Sequence, residues 1–297
     1  MTDQDRSDRN IEGDRSEAST HSRRTLLASM GAGAAGLALG GVTGTAGASG
    51  EEMPAGEFID SKSPATTATS DGSWSDSAVW DNGVPTAEQT VRIGSGVTIT
   101  VDTTTERIKN LDVAGTLQFA QDTDSHLRAE TIVTRPDSQM HIGTESNPIQ
   151  QGSEAHITFV HHEDISEKDH DPERVSKGLI TMGELEIHGA DKTSWTELAS
   201  APTAGDTSIK LASAPTNWNE GDELVIPGLD PNADKDEERT IASVSGSTVR
   251  LDEPLEYDHV PPENKLDVEL TAYALNLTRN VVLESEVQER DPDKEKR

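Results

Sequence analysis

The densest set of potential ligands in this chain is the run His161-His162-Glu163-Asp164-Ile165-Ser166-Glu167-Lys168-Asp169-His170-Asp171. The side chains of His161, His162, Asp164, His170 and Asp171 are of the types that bind zinc or calcium, and a long loop can wrap an ion. Their spacing matches no metal motif, and acidic residues abound along the whole chain. The segment therefore reads as a solvated loop, and no metal site is assigned. Trp74 and Trp80 are the candidates for ligand binding, because an aromatic face stacks on the apolar C–H patches of sugar rings. Large aromatics more often anchor cores, and closing one end of the fold is the competing role for both. Glycoside hydrolysis needs two carboxyls roughly 5 Å apart, or roughly 6.5–9.5 Å for inversion. With 55 acidic residues, the sequence singles out no such pair. Asp222-Glu223 and Glu237-Glu238 are neighbours, but neighbours on a strand face opposite sides. No Ser-His-Asp arrangement, phosphate loop or dinucleotide fingerprint is present, so neither a catalytic residue nor a cofactor is assigned. Asn276-Leu277-Thr278 is an N-glycosylation sequon, and Asn276 is usable only if its strand leaves it accessible.

The elements that would position such residues are strands. Val97, Ile99 and Val101 alternate with Thr98, Thr100 and Asp102, the mark of a strand with one buried face. The alternation returns at Leu111 and Val113, Leu117 and Phe119, Met140 and Ile142, Ile157 and Phe159, and Leu185 and Ile187. Gly115-Thr116-Leu117-Gln118-Phe119 and Gly183-Glu184-Leu185-Glu186-Ile187 share one template. Recurrence near every twenty residues suits a solenoid whose coils stack strand on strand. Gly94, Gly96, Gly115, Gly143, Gly183 and Gly189 sit beside strands, where positive φ would turn the corners. The pattern predicts an all-β chain whose body, residues 71–190, is a right-handed parallel β-helix. A β-sandwich shows similar spacing, and periodicity does not separate the two. The histidine-bearing run is a loop extruded from one coil. A small all-β subdomain follows over 191–262, then the start of a truncated β-helix over 263–284 and a charged tail over 285–297.

The formal charge of −30, from 55 acidic and 25 basic residues, excludes nucleic acid as a partner by its sign. A chain only 32% hydrophobic with such a charge would ordinarily be disordered, but the recurring alternation argues for a folded body. Salt adaptation of the halophilic archaeal kind accounts for both, since the Debye length falls to about 3 Å at 1 M and self-repulsion is screened. The front of the chain carries an address. Arg23-Arg24 precedes a weakly apolar Ala/Gly/Leu stretch that ends Ala46-Gly47-Ala48, a small-x-small cleavage site. Residues 1–48 thus read as a disordered twin-arginine signal region that exports a folded protein. Glycine and alanine make the stretch a poor membrane span, so no span is expected after cleavage. Residues 49–70 read as a flexible linker. Cysteine is absent, so no disulfide can staple the exported domain.

The stretch from Trp74-Ser75-Asp76-Ser77-Ala78-Val79-Trp80-Asp81-Asn82-Gly83-Val84-Pro85 to Met182-Gly183-Glu184-Leu185-Glu186-Ile187-His188-Gly189 resembles the eight-glycine (G8) domain of fibrocystin-type receptors and of hyaluronan-binding and hyaluronan-depolymerising proteins. The likeness covers residues 71–283 and stops where the main β-helix of the depolymerising relatives begins. It implies a β-solenoid in an extracellular or cell-surface setting, with aromatics such as Trp74 and Trp80 closing its end. Two functions follow. One is an exported module that binds a polysaccharide or a cell-envelope protein. The other, implied by the resemblance, is a polysaccharide-degrading enzyme, inactive where the later histidine-bearing coils are missing.

Overall fold

Strands that bury one or both faces account for nearly all the regular structure. The computed structural model describes residues 58–59, 63–164, 176–230, 234–261 and 270–286, and among these the fold is all-β apart from one short 3-10 turn, Ser77–Val79. One sheet holds, in spatial order, β1 (Thr66–Ala68), β3 (Thr90–Ile93), β5 (Thr104–Val113), β7 (Ser125–Thr134), β9 (Ala155–Phe159) and β18 (Val281–Ser285). A second holds β2 (Gly72–Ser73), β4 (Thr98–Val101), β6 (Thr116–Phe119), β8 (Gln139–Ile142) and β11 (Glu184–Ile187). Every pairing in both sheets is parallel, unlike the antiparallel ladders of a β-sandwich. The chain passes from one sheet to the other and moves over by one strand at each circuit. Like residues therefore stack: Ile99, Leu117, Met140 and Leu185 stand in register, as do Val91, Leu111 and Ile132. They line a shared core with Val101, Val113, Phe119 and Ile142.

Only some of the corner glycines turn the chain through positive φ. Gly96 and Gly143 do, at 76° and 72°. Gly115 and Gly183 serve for a different reason, since a Cβ on Gly115 would lie 2.2 Å from the Val97 carbonyl oxygen and one on Gly183 2.3 Å from that of Ser138. The shared template of these two segments marks corners where one circuit's backbone lies directly against the previous one.

The histidine-bearing run is inserted within a single row of the first sheet. β9 pairs with the N-terminal half of β7, and β10 (Gly178–Thr181) pairs with its C-terminal half. Together they stand where one long strand would follow β7, and the run lies between them. Outside the same sheet, Phe58 and Ile59 pack with Val133, Ile180 and Met182. The segment expected to be a flexible linker thus contributes a buried pair and the strand β1, because Thr66 and Ala68 alternate inward as the body's own strands do.

The remaining strands are antiparallel. β12 (Trp195–Glu197), β17 (Tyr273–Asn276), β14 (Glu223–Ile226), β15 (Glu237–Ser245), β16 (Thr248–Leu251) and β13 (Ser208–Lys210) form one sheet in that order. A bridge between Leu198 and Leu211 brings its two ends together, with Ala199 N donating to Lys210 O and Ala212 N to Glu197 O at 2.8 Å. The sheet so closes around Leu198, Ile209, Leu224, Ile226, Ile241 and Val249. Of the expected start of a truncated β-helix over 263–284, the described part divides: β17 completes this closed sheet, and β18 pairs in parallel with β9 of the first sheet. Ser285 and Glu286 belong to the fold as well, Ser285 ending β18.

Candidate functional site

Polar side chains tie His161 and His162, just after β9, and Lys177, just before β10, to the rest of the fold. His161 N donates to Glu286 Oε2 at 2.9 Å, while Arg107 grips the same carboxylate through two hydrogen bonds of 2.6 and 2.8 Å. The Arg107 guanidinium, helped by the His161 amide, pulls the Glu286 carboxyl down to about 2. Glu130, on β7, accepts from Lys177 Nζ at 2.6 Å and from His162 N at 3.1 Å. Burial pushes the Glu130 carboxyl up, yet these hydrogen bonds outweigh it and hold it below its ordinary value. The two adjacent rings diverge: His161 Nε2 lies 3.7 Å from Asp164, and His162 Nε2 lies 3.2 Å from the Ile108 carbonyl. Among the described residues no group of three or more metal-ligating side chains converges. His170 and Asp171 lie outside the described residues, as do Arg23, Arg24, Ala46 and Ala48 of the expected export signal.

Trp74 and Trp80 do not present a platform. They are 1% and 5% exposed, and their rings meet edge-on at 5.1 Å. Trp80 Nε1 donates to the Trp74 carbonyl at 3.0 Å, so even the indole N–H is satisfied internally. Trp74 follows β2, the outer strand of its sheet, where an exposed stack end needs a large apolar cover. Asn276 is closed to modification, being 1% exposed with its amide donating to Asp222 Oδ2 at 2.8 Å. The adjacent carboxylates divide between faces, with Asp222 and Glu237 buried and Glu223 and Glu238 exposed.

An aromatic surface does exist, on a different residue. Trp195 is 60% exposed, and its ring meets that of Tyr273 at 5.6 Å on the outer face of the closed sheet. Strand parity puts both there: Thr196 and Leu198 point inward from β12, and Ala274 and Asn276 inward from β17. The register then carries an outward row from Trp195 through Leu275 and Val225 to Glu238. Leu277 continues the face beside Glu223, and the two border a shallow hollow of about 210 Å³ whose other walls include Glu238, Asp252 and Glu253. Tyr273 Oη donates to Glu197 at 3.4 Å. The surface is a strip of aromatic and aliphatic side chains edged by carboxylates, able to stack on flat apolar faces and accept hydrogen bonds. Trp195 is absent from the sequence-derived candidates. The signal that finds it is the alternation Thr196, Leu198, which leaves Trp195 on the side of Glu197.

A larger polar cleft, about 380 Å³, lies where the closed sheet meets the parallel stack. Its groups are engaged with one another. Asp222 accepts from Lys192 Nζ at 2.8 Å and from Asn219 N at 2.9 Å. Asn280 donates to the carbonyls of Ile149, Gln150 and Ser153 and accepts from Ala190 N. This cleft fastens two parts of the fold. Among the described residues no helix is long and apolar enough to cross a membrane.

Two parallel sheets traced by alternating circuits, joined to a closed antiparallel sheet with an outward aromatic strip, define a β-rich module without a converging catalytic set among the described residues. Residues 79–199 match the G8 domain family. The chain is related to fibrocystin-type proteins. It is 33% identical over 225 residues to Fibrocystin-L of Homo sapiens, covering 71% of this chain and 5% of that protein. To Fibrocystin of Canis lupus familiaris it is 27% identical over 196 residues, 64% of this chain and 5% of that one. The chain thus spans about 5% of the length of these relatives. Among solved structures it is similar to the Pseudomonas phage phi297 tailspike, at 15% identity and a TM-score of 0.24, over 58% of this chain and 24% of that one.

Proposed function

We propose that this chain is an exported module of the cell surface or surroundings that binds a polysaccharide. In this reading it leaves the cell folded by the twin-arginine route, its parallel stack is a right-handed β-helix, and its acidic surface is an adaptation to a salty exterior. The observation that carries the reading is Trp195, a tryptophan held largely in solvent beside Tyr273 on a rigid sheet. Burying that indole against an apolar surface would release water at about 25 cal/mol per Å², and its sheet position removes most of the ordering cost on binding. A sugar ring supplies a flat C–H face for the indole and hydroxyls for the flanking carboxylates.

The test uses the full chain in molar salt, mixed with the source organism's envelope polysaccharide and followed by light scattering on a sizing column. Co-elution with polymer of unchanged mass, abolished by Trp195→Ala, is the expected result. Falling polymer mass would instead establish the depolymerase alternative. Binding to an envelope protein with no affinity for any polysaccharide would overturn the proposal.

A further inference from the structure

The strip around Trp195 has an unusual balance of donors and acceptors. Glu197, Glu223 and Glu238 project to its edges, and Asp252 and Glu253 line the adjoining hollow. Ionised carboxylates only accept hydrogen bonds. Among the described residues the one cation lining the hollow is Arg239, and its donors are already committed. Nη1 donates to the Glu238 carbonyl at 2.7 Å, Nε and Nη2 reach the Pro254 carbonyl at 3.2 and 3.1 Å, and Nη2 also pairs with Glu237. Among the described residues, the side chains of Glu223 and Glu238 take part in no hydrogen bond or ion pair, and both are exposed.

A ligand for this face must therefore bring donors and preferably positive charge. A uronate polymer brings the wrong sign. An uncharged sugar can donate its hydroxyls to these carboxylates, but only through neutral hydrogen bonds, and its ring and linkage oxygens find few donors here. A protonated amine presents three donors and no acceptor. Its hydrogen bonds to carboxylates are roughly twice as strong as neutral ones, and an ammonium over an indole gains a cation–π attraction. The row from Trp195 to Glu238 spans three strand spacings of about 4.8 Å each, long enough for stacking at one end and ion pairing at the other.

We infer that this face binds a glycan of amino sugars with free amines, its rings stacked on Trp195 and Tyr273 and its ammonium groups against Glu197, Glu223 and Glu238. The inference rests on the polysaccharide-binding reading above and names the ligand class of that same surface. Such a site would hold at high ionic strength. With a Debye length of about 3 Å at 1 M, remote charges are silent and only groups in contact count.

The experiment titrates the full chain in 1 M salt with glucosamine oligomers, their fully N-acetylated counterparts, oligo-lysine and a hyaluronan oligomer, read by calorimetry. Glucosamine oligomers should bind at least about tenfold more tightly than the acetylated form, and Trp195→Ala should weaken them by about tenfold or more. Glu223→Gln with Glu238→Gln should erase the preference for the free amine while leaving the melting temperature unchanged. Equal binding of free and acetylated oligomers would overturn the amine inference and leave the polysaccharide reading standing. Preference for hyaluronan would do the same. Binding of oligo-lysine as tight as that of glucosamine, insensitive to Trp195→Ala, would reduce the effect to attraction of a polycation to an acidic protein and overturn the inference. If none of these sugars binds and the envelope polysaccharide also fails to co-elute, both readings fall.

Discussion

Single residues separate into those that hold the fold and those that face outward, and tryptophan shows the division best. Trp74, Trp80 and Trp218 are buried, while Trp195 stands in solvent. Trp80→Ala should cost about 3–5 kcal/mol of stability, the range for emptying a buried aromatic site. Trp195→Ala should stay within about 0.5 kcal/mol of the parent, as surface changes do. Urea unfolding in molar salt reads both. Gly115→Ala should destabilise by about 1–3 kcal/mol, because its Cβ would overlap the Val97 and Gly94 carbonyls. The sequence made the two glycine templates visible as corners. The expected reason, positive φ, holds at neither Gly115 nor Gly183; crowding requires them, and crowding arises only when the circuits stack. Asn276 was likewise unreadable: a sequon is local, whereas its inaccessibility comes from pairing with Asp222, 54 residues away. Mass spectrometry of the chain purified from its source should find Asn276 unmodified.

At the scale of elements, the segments that follow β9 and precede β10 are tied down by the carboxylates of Glu286 and Glu130, so their stability depends on pH. The Glu286 carboxyl falls from its ordinary 4.5 to about 2 in the folded chain. A depressed folded-state value means that ionised Glu286 stabilises the fold above pH 4.5 and contributes progressively less as the pH falls toward 2. Glu286→Gln should therefore destabilise near neutrality, and the difference from the parent should shrink through that acid window. Hydrogen exchange at the His161 amide, against pH, would register it. The strands of the stack were legible where one face is buried and residues alternate, whereas β7, whose C-terminal half buries both faces, was not. The insertion's place within a single row was not, because β9 and β10 become one row only through their shared pairing with β7. β18 falls within the expected start of a β-helix, but its partner was not legible, since β9 lies far away in the sequence.

For the whole molecule, the charge of −30 is the dominant fact, and salt adaptation is its expected consequence. Circular dichroism should show the strand signal weakening as salt is withdrawn from molar concentration, because self-repulsion is then no longer screened. An unchanged spectrum would remove salt adaptation from the account. The central claim, that the outward aromatic strip receives a polysaccharide, has a direct optical test. Of the four tryptophans only Trp195 is open to solvent, so acrylamide quenching of fluorescence reports on that one site. Adding the envelope polysaccharide in molar salt should shield the quenchable fraction, and the Trp195→Ala protein should have almost none to shield. Quenching that stays the same while polymer is bound would contradict the claim and place the binding surface elsewhere.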